Sequence, residues 1–204
     1  MGFYERQVLP RVIDVLLGKG VDPLRARVAS GVSGEVLEVG FGSGRNVPHL
    51  PDGVTRLVAV DPATVGRKLA AKRIAARGIP VEFVGLDGQS LPLDDASVDH
   101  VLVTWTLCTI PDVDAALVEM HRVLRPGGRL HFVEHGRSPD PESAAKQERL
   151  TPKWRKVAGG CHLNRQIPEL VRRAGFVEAH LESYCDRGSE VFGRMYEGIA
   201  VKIA

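Results

Sequence analysis

Five short apolar runs limit what this 204-residue chain can fold into. They fall at 36–39, 56–60, 81–84, 98–103 and 128–133, and they are rich in Val, Leu and Phe. Runs this short and this uniformly apolar are strands buried on both faces. Helical patterns separate them. Residues 64–77 set Val65, Leu69 and Ala76 against Arg67, Lys68, Lys72 and Arg73. Asp112 is an N-cap for a helix carrying Val113, Leu117, Met120 and Leu124 at i, i+4, i+7 and i+11. Arg125-Pro126-Gly127-Gly128 ends that helix and turns the chain into the fifth strand. Strands joined by helices need crossover connections, so the sheet is parallel with both faces covered. Two further strands are expected at 176–184 and 195–203, with a link too short for a covering helix, so they pair antiparallel.

Two segments lie outside this alternation. Residues 1–30 read as helical, with Tyr4, Val8, Val12, Ile13, Leu16 and Leu17 on one face. Residues 136–165 open with Asp140 as N-cap and Pro141 at the first helical position, and run on to Trp154 and Gly160-Cys161-His162. An excursion after the fifth strand lies at the carboxyl end of the sheet, where open α/β sheets bind ligands. Both segments are expected to be lids. The domain plan is a single unit: 1–30 a helical lid, 34–135 the ligand-binding half, 136–165 a lid insertion, and 166–204 a helix with the last two strands.

Charge and cysteine usage remove several functions. Twenty-seven basic against 25 acidic residues give a net charge of +2, with no basic stripe for nucleic acid. Three widely spaced cysteines, Cys108, Cys161 and Cys185, make neither a disulfide framework nor a zinc site, and no metal is expected. No run of 18 apolar residues spans a membrane, and no secretion signal is evident at the start, so a reduced, cytoplasmic protein is the simplest expectation. Arg6, Arg11 and Lys19 beside the apolar face of the first segment leave a weak peripheral membrane contact open.

The chemistry centres on Val36-Leu37-Glu38-Val39-Gly40-Phe41-Gly42-Ser43-Gly44, where a buried strand runs into a glycine loop and a helix is expected to follow. Twenty-one residues after Gly40, Asp61 ends the second strand, at the spacing where an acid reaches a ribose hydroxyl. A dinucleotide is the first thought, and three details oppose it. The spacing is Gly-x-Gly-x-Gly, with Arg45 and Asn46 where Gly-x-Gly-x-x-Gly needs another pattern. Glu38 would repel a pyrophosphate but suits a cation; at about 5 Å and an effective dielectric near 20, opposite unit charges gain on the order of 3 kcal/mol. Asp87 and Gly88 close the third strand, where the acid can accept from an adenine amino group and the glycine keeps the backbone low.

This ordered set resembles the class I methyltransferases that use S-adenosylmethionine (SAM), whose sulfonium and ammonium carry positive charge and no phosphate. The resemblance covers 34–135 and includes Leu91-Pro92-Leu93-Asp94-Asp95 and Leu124-Arg125-Pro126-Gly127-Gly128. It implies an α/β Rossmann-like fold with a mostly parallel sheet of order 3-2-1-4-5-7-6. It also implies a cofactor site of Glu38, Gly40, Phe41, Gly42, Ser43, Gly44, Asp61, Pro62, Asp87, Gly88 and Thr104, with S-adenosylhomocysteine (SAH) as product. Residues 103–110, 160–165 and 196–202 resemble the animal alkyl-thiol methyltransferases and their bacterial relatives, without the long hydrophobic anchor of the animal proteins.

The acceptor is expected to be a small, apolar thiol, hydroxyl or amine. Trp105, Thr106 and Cys108 just past strand four, His135 and Arg137 just past strand five, and Tyr4, Trp154, Cys161 and His162 from the lids form its wall. His135 is the candidate base or orienter, needed only where the acceptor holds its proton at neutral pH. The alternatives are a quinone or lipid head-group methyltransferase, a non-catalytic SAM-binding partner subunit, and a nucleotide-dependent oxidoreductase. Thr104-Trp105-Thr106-Leu107 stands where nucleobase methyltransferases place an Asn-Pro-Pro-Tyr-like loop. Oligomeric state leaves no trace in the sequence.

Overall fold

In the computed structural model, residues 18–62 and 64–203 are described. Strands β1 (Gly34–Val39), β2 (Val54–Val60), β3 (Val81–Gly85), β4 (Val98–Thr104), β5 (Leu124–His135), β6 (Phe176–Cys185) and β7 (Arg194–Lys202) form one sheet of order β3-β2-β1-β4-β5-β7-β6. The first five are parallel, and β7 runs antiparallel to both β5 and β6. Helices α1 (Asp22–Ala29), α2 (Thr64–Arg77), α3 (Val113–Val123), α4 (Pro141–Val157) and α5 (Ile167–Arg173) complete the described fold. The expected sheet order and the antiparallel last pair are both present.

The two-residue period of a strand splits the sheet's side chains between two cores. Leu37, Val39, Val58, Val60, Val101 and Val103 meet Leu117, Met120 and Val123 of α3 and Ile167 and Val171 of α5. Val36, Leu57, Ala59 and Leu102 belong to the other core, with Val28 and Ala29 of α1 and Ala70 of α2. Each fully buried Leu or Val contributes about 1.5–3 kcal/mol. Helix starts follow their sequence signals. Asp112 accepts from the Ala115 N–H (3.0 Å), and Asp140 from the Ser143 N–H (2.8 Å) just ahead of Pro141.

Residues 1–17, and Tyr4 with them, lie outside the described part; of 18–30, the chain makes a short 3-10 turn (Lys19–Val21) and then α1, with Pro23 in its first turn. Two expectations need correction. No α-helix follows the glycine loop. Turns lead to a 3-10 segment, Val47–His49, because Pro48 and Pro51 lack the N–H groups a longer helix needs. Finally, β5 is longer than expected at both ends. It begins at Leu124, absorbs Arg125–Gly128 as an irregularity with Gly127 at φ +80°, and includes His135, which pairs with Met195 instead of lying past the strand.

The 136–165 segment is docked rather than loose. Gln147 of α4 is buried; its Nε2 donates to the carbonyls of Gly136 and Val191 (both 3.1 Å) and its Oε1 accepts from the Ser138 N–H (2.7 Å). At the other end of the chain, α1 is tied to β7 through Arg27 Nε, which donates to Glu197 Oε1 at 2.6 Å, while Tyr184 donates to Oε2. Among the described residues, no helix is long and apolar enough to cross a membrane.

A histidine pair lies between β4 and β5 beneath α1: His100 Nδ1 and His131 Nε2 are 3.0 Å apart. Burial, then the His100 neighbour, pushes His131 down to about 4. Its folded value lies below the ordinary 6.5, so this group's contribution is complete above pH 6.5 and erodes as pH falls toward 4. Between pH 7.5 and 5 the loss is about 2 kcal/mol. Urea denaturation of wild type and His131→Gln across this range checks it: the stability difference between the two should shrink as pH falls.

Candidate active site

The loop after β1 turns through three glycines with positive φ: Gly40 (+82°), Gly42 (+54°) and Gly44 (+71°). At Gly40 the demand is double, because a Cβ would also stand 1.9 Å from the Thr106 hydroxyl oxygen. Asp61, at the tip of β2, accepts from the Gly42 N–H at 2.7 Å and is 8% exposed. Behind the loop, α2 packs so closely that a Cβ on Gly66 would sit 2.0 Å from the Gly42 carbonyl oxygen. Arg73 of α2 donates to the Ser43 carbonyl at 2.7 Å. The loop is therefore held from both sides by the elements that follow it.

Beneath the loop lies a buried polar network. Glu38 is 1% exposed, and its Oε1 accepts from Asn46 Nδ2 at 2.8 Å. Asn46 Nδ2 also reaches Thr104 Oγ1 (3.0 Å), and Arg25 Nη1 donates to both Asn46 Oδ1 and Thr104 Oγ1 (2.9 Å each). The second carboxyl oxygen of Glu38 has no partner among the described residues. Burial pushes Glu38 up to about 8; the Asn46 hydrogen bond and the Arg25 charge pull the other way, and Asp61 adds to the rise. Two neighbouring acids, one with an unanswered oxygen, leave this strand tip short of positive charge.

The other expected cofactor residues divide by role. Asp87 is exposed, and its Oδ1 accepts from both the backbone N–H and the side chain of Gln89 (2.9 Å each). Gly88 lies against Val39, where a Cβ would be 2.7 Å from a methyl. Leu86 is 51% exposed at the same tip and Pro62 is exposed beside Asp61. Phe41 does not present its ring to a ligand: it is buried edge-on against Phe83, with centroids 5.2 Å apart. Only its backbone belongs to the loop surface.

The expected acceptor wall is a seam between the β4–α3 loop and the stretch after α4. Trp105 has φ +51°, an uncommon conformation for a bulky residue, and Arg25 stacks 4.7 Å from its ring centroid. Glu134, fully buried at the end of β5, accepts from the Thr106 (2.8 Å) and Cys108 (3.2 Å) N–H groups. Burial pushes it up to about 7, against the pull of those donors. The His162 N–H donates to the Cys108 carbonyl (2.8 Å), and Arg165 donates to the carbonyls of Leu107 and Ile110. His135, Trp154, Cys161 and Cys108 come together here. Arg137 does not join them. Its guanidinium pairs with Glu148 of α4 at the surface, so it serves the docking of that helix.

Sequence reading missed Arg25, Asn46 and Glu134. Glu134 carried a usable signal, an acid closing an apolar strand just as Glu38 does. Arg25 and Asn46 carried none, because only tertiary packing buries them. At the opposite end of the sheet a polar hollow of about 490 Å³ opens beside Ser33, Asp99 and Arg129. There Arg125 already bridges Glu35 and Asp99, so it offers no unanswered charge.

A family model described as a methyltransferase domain matches residues 37–132, the stretch that builds every strand tip described above except the last. The chain belongs to the class I SAM-dependent methyltransferases. It is 37% identical over 158 residues to thiol S-methyltransferase TMT1B of Rattus norvegicus, covering 74% of this chain and 64% of that protein. Demethylmenaquinone methyltransferase of Clavibacter sepedonicus is 32% identical over 133 residues, 63% of this chain and 54% of that one. The chain thus spans somewhat under two thirds of these relatives. Among solved structures, a Bacillus halodurans C-125 protein matches with TM-score 0.74 and 18% identity, covering 91% of this chain and 100% of the other. Haemonchus contortus phosphoethanolamine N-methyltransferase 2, solved with SAH, matches at TM-score 0.69 and 16% identity over 96% of this chain and 57% of that one. At these identities the two structures establish the shared fold.

Asn46→Ala removes the hydrogen bonds that hold Glu38 and Arg25. Leaving such groups unpaired costs about 2–4 kcal/mol, and urea denaturation should read that loss. Gly66→Ala should lower the melting temperature as well, since the added methyl meets backbone and not a mobile side chain.

Proposed function

We propose that this protein methylates the sulfur of a small, apolar thiol, using SAM as donor. The observation that carries the donor reading is the unpartnered, buried oxygen of Glu38 beside Asp61 at the mouth of a glycine loop. That acidic tip accommodates a phosphate-free cation and repels a pyrophosphate. The residues present therefore fit SAM. The loop backbone from Gly40 to Gly44 and Ser43 would lie along it, Glu38 would face its cationic end, Asp61 a ribose hydroxyl, and Asp87 with Gly88 the adenine. When bound, SAM supplies an electrophilic methyl carbon with a neutral thioether as leaving group.

The chain's own work is then mostly positional. Orientation alone supplies up to roughly 7–11 kcal/mol in reactions of this type. Trp105, fixed by Arg25 from behind, and Trp154 supply apolar wall, while Glu134 keeps the β4–α3 loop in register. His135 has two ring nitrogens without a close partner among the described residues. One can take the acceptor's proton, a modest task for a thiol that is already partly ionised at neutral pH. The docked 136–165 segment would cover the acceptor. The three free cysteines fit a reducing, cytoplasmic setting.

Likeness to the thiol S-methyltransferases supports sulfur as the methylated atom, and the shorter likeness to a demethylmenaquinone methyltransferase supports a quinone ring as second reading. Turnover with labelled SAM over alkyl thiols and demethylated quinones separates them. Activity on thiols alone is expected, and activity on quinones alone would overturn the thiol reading. His135→Ala with undiminished turnover would remove that residue's role.

Donor binding should be linked to pH. Glu38 sits near 8 without a cation, and pairing with one lowers it, so binding releases a proton below pH 8. Affinity for SAM should rise as pH increases from 6 to 8 and then level off. Titration calorimetry in buffers of different ionisation enthalpy checks the proton release, and Glu38→Gln should abolish both effects. Asp61→Ala should weaken SAM by roughly 10–100-fold. Thermal stabilisation by NAD instead of SAM or SAH would overturn the donor reading.

A further inference from the structure

The seam between the β4–α3 loop and the stretch after α4 carries two free thiols, Cys108 on one side and Cys161 on the other. The His162 N–H donates to the Cys108 carbonyl, and His162 Nδ1 lies 3.1 Å from the same oxygen, which fixes the two backbones alongside each other. Residues 108 and 161 are thereby neighbours across that seam, and each thiol feels the other. They are not equivalent. Cys108 is 3% exposed, whereas Cys161 is only half-buried and open to a small reagent.

The surroundings sharpen the difference. The Cys161 sulfur is faced by the Cys108 thiol, the His135 ring and the Trp154 indole. Neither His135 nitrogen, nor Trp154 Nε1, has a hydrogen-bond partner among the described residues, and His135 is 6% exposed. Glu134, Arg165 and His162 stand near the pair as well. The neighbouring Cys108 thiol, then the His135 ring and the Trp154 indole, draw the Cys161 thiol below the usual range against the opposing effect of burial. The Cys161 neighbour and burial hold Cys108 above it. A thiol near an imidazole, with a second thiol on the adjoining backbone, is the arrangement of a redox-reactive cysteine and its resolving partner.

We propose that Cys161 and Cys108 are a hydroperoxide-reactive dithiol, with Cys161 the attacking thiol and Cys108 the resolving one. The Cys161 thiolate attacks the hydroperoxide, forming an S–O bond as the O–O bond breaks, and the departing alkoxide takes up a proton. Cys108 sulfur then attacks the Cys161 sulfenic acid, an S–S bond forms, and hydroxide leaves as water with the Cys108 proton. In sum, two thiols and one hydroperoxide give a disulfide, an alcohol and water, and an external dithiol reverses the change. The new bond staples the stretch after α4 to the β4–α3 loop. This inference does not depend on the acceptor or on methyl transfer.

Trypsin separates the three cysteines into peptides 78–122, 157–165 and 174–187. Full-length protein treated with a few equivalents of hydrogen peroxide, alkylated and digested should yield 78–122 linked to 157–165, with Cys185 alkylated. Dithiothreitol should undo the link. In Cys108→Ser the Cys161 sulfenic acid should persist and be trapped by dimedone. In wild type, iodoacetamide at pH 7 should modify Cys161 at least about tenfold faster than Cys185, an advantage that His135→Gln reduces. Oxidation of Cys185 first, a link between any other pair, or equal alkylation rates at Cys161 and Cys185 would overturn the proposal.

Discussion

Glu38 has to be kept inside a sheet that is otherwise apolar, and much of the site is arranged around that requirement. Its carboxyl is held on one side by Asn46, and Asn46 is held in turn by Arg25 and Thr104. Arg25 supplies compensating charge from the far side and at the same time supports Trp105. One buried acid thus connects α1, the glycine loop and the loop after β4. Its remaining oxygen stays unanswered among the described residues, which is costly in a folded protein and makes sense when a cation completes the set.

The sheet was legible because its signal is local. A parallel strand buried on both faces must be a short apolar run, and the turn residues between runs are equally constrained. Asp112 and Asp140 announced their helices because an N-cap is satisfied within three residues. The glycine loop was legible as well, since positive φ narrows the choice of residue. The same reading failed just beyond it, where a helix was expected and Pro48 and Pro51 allowed only a 3-10 segment. Proline spacing outweighed the fold analogy there.

The polar members of the site were the least legible. Asp61, Glu38 and His135 stand at strand tips and could be found by position. Arg25 and Asn46 acquire their roles only when helix and loop close over the sheet, more than 70 residues from Thr104 in the case of Arg25. Arg137, which stands near a strand end, pairs its guanidinium with Glu148, a partner that its sequence position did not announce. Phe41 lies inside the loop motif, yet its ring is core. A motif specifies the path of the backbone more reliably than the direction of each side chain.

The contact between Gly66 and the Gly42 carbonyl has a mechanical meaning. The first turn of α2 stands behind the glycine loop as a rigid stop, and the loop has no room to retreat when a ligand presses on it. Its shape is settled during folding, so a ligand bound there would meet a surface whose ordering entropy has already been lost. In thermodynamic terms the loop is preorganised, and the helix packed behind it is what makes it so.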